Sequence, residues 1–238
     1  MNKKGHVALA ALAGTAMLYS SELKLADSAL LAIVACGASL LPDLDHKTGT
    51  ISNKIQFSAK VRRKLRVLSG LLVGVGILLY LLHLGLPLLW VGAGVSLAAA
   101  ARIRTLLLSG GGLAMIGYFI HYNGHWLILL TGLALLVVPF VQHRGIIHSP
   151  EFAALLTLAI VSFTGNASHI VEATGLGIIV GWWSHLLGDA LTQEGVHSVF
   201  LPRLKVALKI VRNGGTSERW VIKGCWAASF VIWILAFQ

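Results

Sequence analysis

Four short stretches of this chain carry most of the residues able to hold a metal ion or move a proton. They are His6, the run Leu40-Leu41-Pro42-Asp43-Leu44-Asp45-His46, the run His143-Arg144-Gly145-Ile146-Ile147-His148-Ser149-Pro150, and the run Ser184-His185-Leu186-Leu187-Gly188-Asp189. Together they hold five of the ten histidines and three of the nine acidic residues. Imidazole and carboxylate donors without thiolates suit Zn²⁺, Mn²⁺ or Fe²⁺ better than a soft metal. The two cysteines, Cys36 and Cys225, sit far apart in apolar stretches. They imply neither a disulfide framework nor a thiolate site.

The spacings carry physical content. His185 and Asp189 are four residues apart and share one face of a helix, the usual way of presenting a pair of ligands. His143 and His148 straddle Gly145 and need a turn to converge. Asp43 and Asp45 alternate after Pro42, so one carboxylate can coordinate while the other orients a ligand. Taken singly, each has an ordinary explanation as a turn residue or an interfacial side chain. Taken together, His6, Asp43, Asp45, His46, His143, His148, His185 and Asp189 form a candidate ligand set for a divalent ion, zinc first. Eight side chains are too many for one four-coordinate zinc with an open position. Two ions, or one ion beside a carboxylate base, match the number better. Arg144 is the natural clamp for a phosphate, because a guanidinium binds phosphate oxygens in pairs. Asp45, Arg144 and Asp189 are therefore the candidate catalytic groups, with Ser184 expected to support them from behind. His197 could approach the same cluster.

The elements that must position these groups are membrane helices. Of 238 residues, 56% are apolar and 12% charged, about half the charge of a soluble domain, and mean hydropathy is +0.80. The fold class is all-α, a polytopic helical membrane bundle. Nine apolar segments are legible, at roughly 5–20, 28–41, 67–84, 87–101, 105–120, 125–141, 152–164, 169–188 and 220–237. Crossing the hydrocarbon takes about 20 apolar residues, so 28–41 and 152–164 are short. Gly85-Leu86-Pro87, Asn123-Gly124 and Gly165-Asn166 punctuate the runs. Gly70 with Gly74, and Gly177 with Gly181, offer small faces for close helix packing. The chain reads as one membrane-embedded domain, with four of the segments over 67–141 and a basic segment facing the cytoplasm at 189–219.

Charge orients the bundle. If the N-terminus is cytoplasmic and all nine segments cross, eighteen of the nineteen Lys and Arg residues lie inside and only Lys24 lies outside. Retained positive charge is the main determinant of orientation. It also accounts for the formal charge of +10 without nucleic acid, and it puts all four motifs on the cytoplasmic face. Residues 203–212 place Lys205, Lys209 and Arg212 on one side and Leu204, Leu208 and Val211 on another, which predicts a helix lying on anionic lipid. The run at 60–66 is similarly basic. Lys3-Lys4 before an apolar run also matches a secretory signal, but the expectation is a first helix that stays attached, because His6 belongs to the ligand set. His83, His121, His125 and His169 fall at the outer ends of spans and are expected to be interfacial.

These motif residues resemble the YdjM-like family, described as LexA-binding, inner-membrane-associated metal-dependent hydrolases. The resemblance rests on Gly5-His6, Leu-Leu-Pro-Asp-Leu-Asp-His at 40–46, His-Arg-Gly-x-x-His-Ser at 143–149 and Ser-His-Leu-Leu-Gly-Asp-Ala-Leu-Thr at 184–192, in that order. It implies a helical hydrolase of a bacterial inner membrane with a metal site, distantly similar to zinc-dependent phospholipase C. The chain departs from the family pattern at Ile147, where Thr is frequent, and at Gln193, where Pro is frequent. Compact members resembling it have a shorter gap between the second and third motifs, so the resemblance implies that 67–141 is an inserted four-helix transmembrane bundle. The expected activity is metal-assisted hydrolysis of a phosphoester on a lipid or lipid-linked substrate. A non-catalytic scaffold that binds a partner such as a repressor is the alternative. A transporter fits less well, because its site would lie near the bilayer midplane, where these spans carry no ionisable residue. No His-Glu-x-x-His helix points to a membrane protease.

Overall fold

The computed structural model describes residues 1–18, 23–46, 49–141, 144–201 and 203–236. Ten α-helices account for most of it: α1 (Lys3–Ala16), α2 (Leu25–Ala38), the short α3 (Thr50–Lys54), α4 (Ala59–Leu81), α5 (Pro87–Ala101), α6 (Ile103–Tyr122), α7 (Trp126–Val137), α8 (Pro150–Thr164), α9 (His169–Ala190) and α10 (Thr216–Ala236). Each of the nine apolar segments has a helix. Four helices (α4, α6, α9 and α10) are long and apolar enough by themselves to cross a membrane, and α2 joins them when the 3₁₀ turn Pro42–Asp45 continues it to give Leu25–Asp45. Helices α5, α7 and α8 are shorter and apolar.

Local chemistry explains the boundaries. Asn2 caps α1 by accepting from the Gly5 amide at 2.9 Å, and Ser149 caps α8 by accepting from Phe152 at 3.1 Å, with Pro150 in the first turn. A short oxygen-bearing side chain at that position satisfies an amide the helix leaves free. Asn123 closes α6 in the left-handed conformation at φ 49°, which Asn tolerates better than most residues. The turn between α4 and α5 uses Gly85 at φ 59° before Pro87 opens the next helix.

The helices pack as a bundle with two hairpins. Helix α1 lies against α2, α9 and α10, and α2 runs alongside α9, which also carries α8. The α4–α5 and α6–α7 hairpins follow one another in sequence, and α7 returns to α8. Glycine lets α2 and α9 approach closely. A Cβ on Gly177 would lie 2.8 Å from the Leu31 carbonyl, and one on Gly181 would lie 2.4 Å from that of Ala35. The other expected small-residue face is not used. Gly70 and Gly74 have nothing within 4 Å, whereas Gly76 and Gly94 make the α4–α5 contact. A GxxxG spacing shows that two glycines share a face, but not which face meets a neighbour.

This yields a paired prediction. Gly181→Ala should lower thermal stability, by about 1–3 kcal/mol as an overpacked contact, although alanine favours helix over glycine. Gly70→Ala should instead stabilise by up to about 1 kcal/mol. Melting of both variants in detergent checks the pair, and equal shifts would contradict the close α2–α9 approach.

The segment after α9 corrects a sequence expectation. Residues 203–212 do not form an amphipathic helix. The chain is extended there, with strand β1 (Val196–His197) pairing antiparallel to β2 (Lys205–Val206) and Lys209 at φ 57°. The Leu208 amide donates to the Ala190 carbonyl at 2.8 Å and the Val211 amide to that of Leu191 at 3.0 Å. Backbone groups left free at the end of α9 thus capture the segment. The β-branched Val206, Ile210 and Val211 suit the extended form. The all-α fold therefore carries one small β-ribbon.

Candidate metal centre

One end of the bundle collects the motif residues. Helix α9 presents His185 and Asp189 one turn apart, both buried. The 3₁₀ turn after α2 delivers Asp43 and Asp45, a second 3₁₀ turn (Ile146–His148) delivers His148, and the first turn of α1 delivers His6. Among the described residues, two groups of side chains bring ligand atoms within 4.8 Å of one another: His6, Asp43 and His185, and His148, His185 and Asp189. His185 is common to both.

His185 has the arrangement expected of a ligand. Its Nδ1–H donates to the Ser39 carbonyl at 2.7 Å, which leaves the Nε2 lone pair exposed to the cluster. That atom is buried without a hydrogen-bond partner and stands 3.8 Å from Asp43 Oδ1 and 3.7 Å from Asp189 Oδ2. A bare nitrogen between two carboxylates, too far for hydrogen bonds, with the opposite ring nitrogen fixed on a backbone carbonyl, is the habit of metal-binding histidines. The donor set therefore fits a divalent ion held by nitrogen and oxygen.

The other groups arrange themselves around this nitrogen. The His6 ring stacks on His185 at 3.9 Å between centroids and 11° between planes. Its Nε2–H donates to the Met1 carbonyl at 3.0 Å, and Nδ1 has no hydrogen-bond partner. A Cβ on Gly188 would come within 2.9 Å of His6 Nδ1, so this glycine makes room for the ring. Asp45 Oδ2 accepts from the Arg144 amide and lies 3.0 Å from His148 Nδ1, while Asp43 Oδ1 is 3.7 Å from His148 Nε2. Asp43 thus faces the cluster and Asp45 steadies His148 from behind. Burial works against a proton on His148, but Asp43 and Asp45 outweigh it and push its pKa up to about 9. A cation bound beside it requires that proton to leave.

Asp189 divides its two oxygens. Oδ1 accepts from the Met1 α-amino group at 2.7 Å and from Arg144 Nη2 at 3.2 Å, and Oδ2 turns to His185. The second fork of Arg144 meets Glu194 at 2.5 Å. Arg144 adopts a left-handed φ of 65°, which turns the chain so that its amide points at Asp45 and its guanidinium at Asp189. The motifs, their order and this geometry run the length of the chain, and the family model for the YdjM inner membrane protein matches residues 1–238. The chain belongs to that family. No curated protein and no solved structure matches it.

In this YdjM-family chain not every candidate ligand joins the cluster. His46 is half-buried and belongs to neither group of converging donors. His143 lies outside the described residues. Ser184 commits its hydroxyl to the Val180 carbonyl of its own helix at 2.6 Å, so the expected support of the site comes instead from the Ser39 carbonyl. His197 is exposed on β1. His125 caps α7 and meets Ser162 at 3.3 Å. Sequence reasoning missed Glu194, the partner of Arg144, and Glu218, a buried carboxylate that accepts from the Asn2 amide, the Asn2 side chain and the Gly214 amide at 2.7, 2.8 and 2.6 Å. A lone acid in the first turn of a helix looks like ordinary helix capping. Its only sequence signal is that this chain has so few acids.

Proposed function

We propose that this inner membrane protein is a metal-dependent hydrolase acting on a phosphoester of a lipid or lipid-linked substrate at the cytoplasmic face. The observation that carries the reading is the bare, buried Nε2 of His185 facing two carboxylates. His185, Asp43, Asp189, His148 and His6 would hold the ion, zinc first and manganese or iron next. Five donors in two overlapping groups leave room for one ion or two. Such an ion supplies an activated water and neutralises phosphoryl oxygens.

The chain's own residues set the rest of the chemistry. Ser39 and Asp45 fix the rings of His185 and His148. Arg144, about one-sixth exposed and held between Asp189 and Glu194, can turn a guanidinium edge to an entering phosphate. The substrate class rests on an apolar cavity of about 170 Å³ directly behind the motif turns. Leu41 and Leu44 beside the aspartates, Ile147 beside His148, and Trp182 of α9 line it. An acyl or prenyl chain fits such a wall.

The decisive experiment is phosphate release from a panel of lipid phosphoesters by detergent-purified protein of measured metal content. Turnover that follows the metal supports the reading. Stoichiometric metal with no hydrolysis of any member would favour a scaffold that binds a partner protein. Orientation is tested separately by cysteine labelling. A cysteine at Ser58, the cap of α4, should resist an impermeant thiol reagent in intact cells, while one at Asn123, the far end of α6, should react. Twenty helical residues separate the two levels, about 30 Å. The reverse pattern would place the site outside.

A further inference from the structure

A second cavity lies on the same face as the metal centre and contains none of its ligands. It has a volume of about 420 Å³ and is lined by four arginines: Arg62 and Arg66 from the first turns of α4, Arg102 before α6, and Arg104 inside it. Arg62 and Arg66 are one turn apart and share a helix face. Among the described residues no carboxylate lines the cavity. Arg104 is only 5% exposed and gives its hydrogen bonds to neutral oxygens, the Leu44 carbonyl at 2.5 Å and the Ser52 hydroxyl at 3.1 Å. Arg62 likewise donates to the Phe57 carbonyl at 2.8 Å. Four guanidinium groups thus converge with no carboxylate in the described wall, while Asp45 acts on Arg104 from outside the cavity.

The surroundings say what kind of anion completes them. Phe140 at the rim is 72% exposed. Immediately along the two helices, Val67 and Leu68 on α4 and Leu106 and Leu107 on α6 are exposed and apolar. The arginines therefore stand where two apolar spans begin, at the depth of the lipid headgroups, with greasy surface continuing below them. A basic pocket between spans at that level takes up phosphate headgroups, and guanidinium binds phosphate oxygens bidentately. We propose that this cavity is a binding site for the phosphate headgroup of an anionic membrane lipid, separate from the metal centre. The contact of Arg104 with Leu44 ties the site to the turn that carries Asp43 and Asp45. For that reason the test uses Arg66 and Arg102, both exposed and uninvolved in that turn.

The full-length protein is purified, delipidated and titrated with phosphatidylglycerol or phosphatidylcholine of the same acyl chains, with binding read by native mass spectrometry. The wild type should retain phosphatidylglycerol in clear preference to phosphatidylcholine. The double variant R66Q/R102Q should bind phosphatidylglycerol roughly 30-fold more weakly, the summed effect of two basic groups at a lipid surface. R66K/R102K should lose much less, and K205Q/K209Q on the β-ribbon segment should bind as wild type. An unchanged melting temperature of each variant in detergent confirms an intact bundle. Equal retention of the two lipids, or wild-type affinity in R66Q/R102Q, would overturn the site. Inorganic phosphate that binds as tightly and displaces the lipid would overturn the lipid assignment in favour of a free anion.

Discussion

Replacing His185 or Asp189 by alanine should strip the protein of bound metal and leave it inserted in the membrane. Both side chains are buried at one end of α9, and His185 belongs to both groups of converging donors, so no neighbour can stand in for it. Losing even a group that merely orients a ligand costs about 10–100-fold in metal affinity, and the loss of a ligand itself should exceed that. Elemental analysis of purified variants is the measurement, with phosphate release following it. Three comparisons sharpen the result. Asp45→Ala should weaken metal retention by about 10–100-fold, because it orients His148. Ser184→Ala should leave metal content unchanged, because its hydroxyl stays within α9. His121→Ala, at the opposite end of α6, should do the same. Wild-type metal content in both His185→Ala and Asp189→Ala would remove the basis for the centre.

Glu218→Ala should be the most destabilising change outside the centre. The carboxylate is fully buried and satisfies three donors, two on Asn2 and one on Gly214. Truncation leaves buried amides without partners, at about 1–3 kcal/mol for each such group. A loss of about 2–4 kcal/mol in all is expected after partial rehydration. Because Glu218 pins the start of α1, the variant should also hold less metal through His6. Glu172→Ala, in the first turn of α9, should shift the melting temperature little. Thermal unfolding in detergent together with metal content checks both effects. A Glu218→Ala variant that melts like the wild type would show that α1 is held by its apolar contacts alone.

The membrane class, the sites of the helices and most of the side chains that converge at one end of the bundle were legible in the sequence. Each has a local or compositional cause. Apolar runs set by bilayer thickness mark the helices, Gly, Pro and Asn mark the turns, and ionisable residues stand out where nearly all others are apolar. His185 and Asp189 share a face because the helix repeat requires it. The pairing of the four motifs was legible only as a shared membrane side. Which donors meet was decided by packing. The close approach of α2 to α9 across Gly177 and Gly181 brings the Ser39 carbonyl under His185, and a backbone carbonyl leaves no trace in residue identity. A turn that delivers one ligand does not deliver all its side chains: His46 follows Asp45 directly, yet among the described residues it belongs to neither group of converging donors. The segment at 203–212 went the other way. Its amphipathic spacing satisfied a helix, yet hydrogen bonds to the end of α9 and pairing with Val196 and His197 made it extended. Spacing along a chain constrains which residues share a face. Only tertiary contact decides what that face touches, because the free energy of a polar group in a membrane bundle depends on the partner it finds.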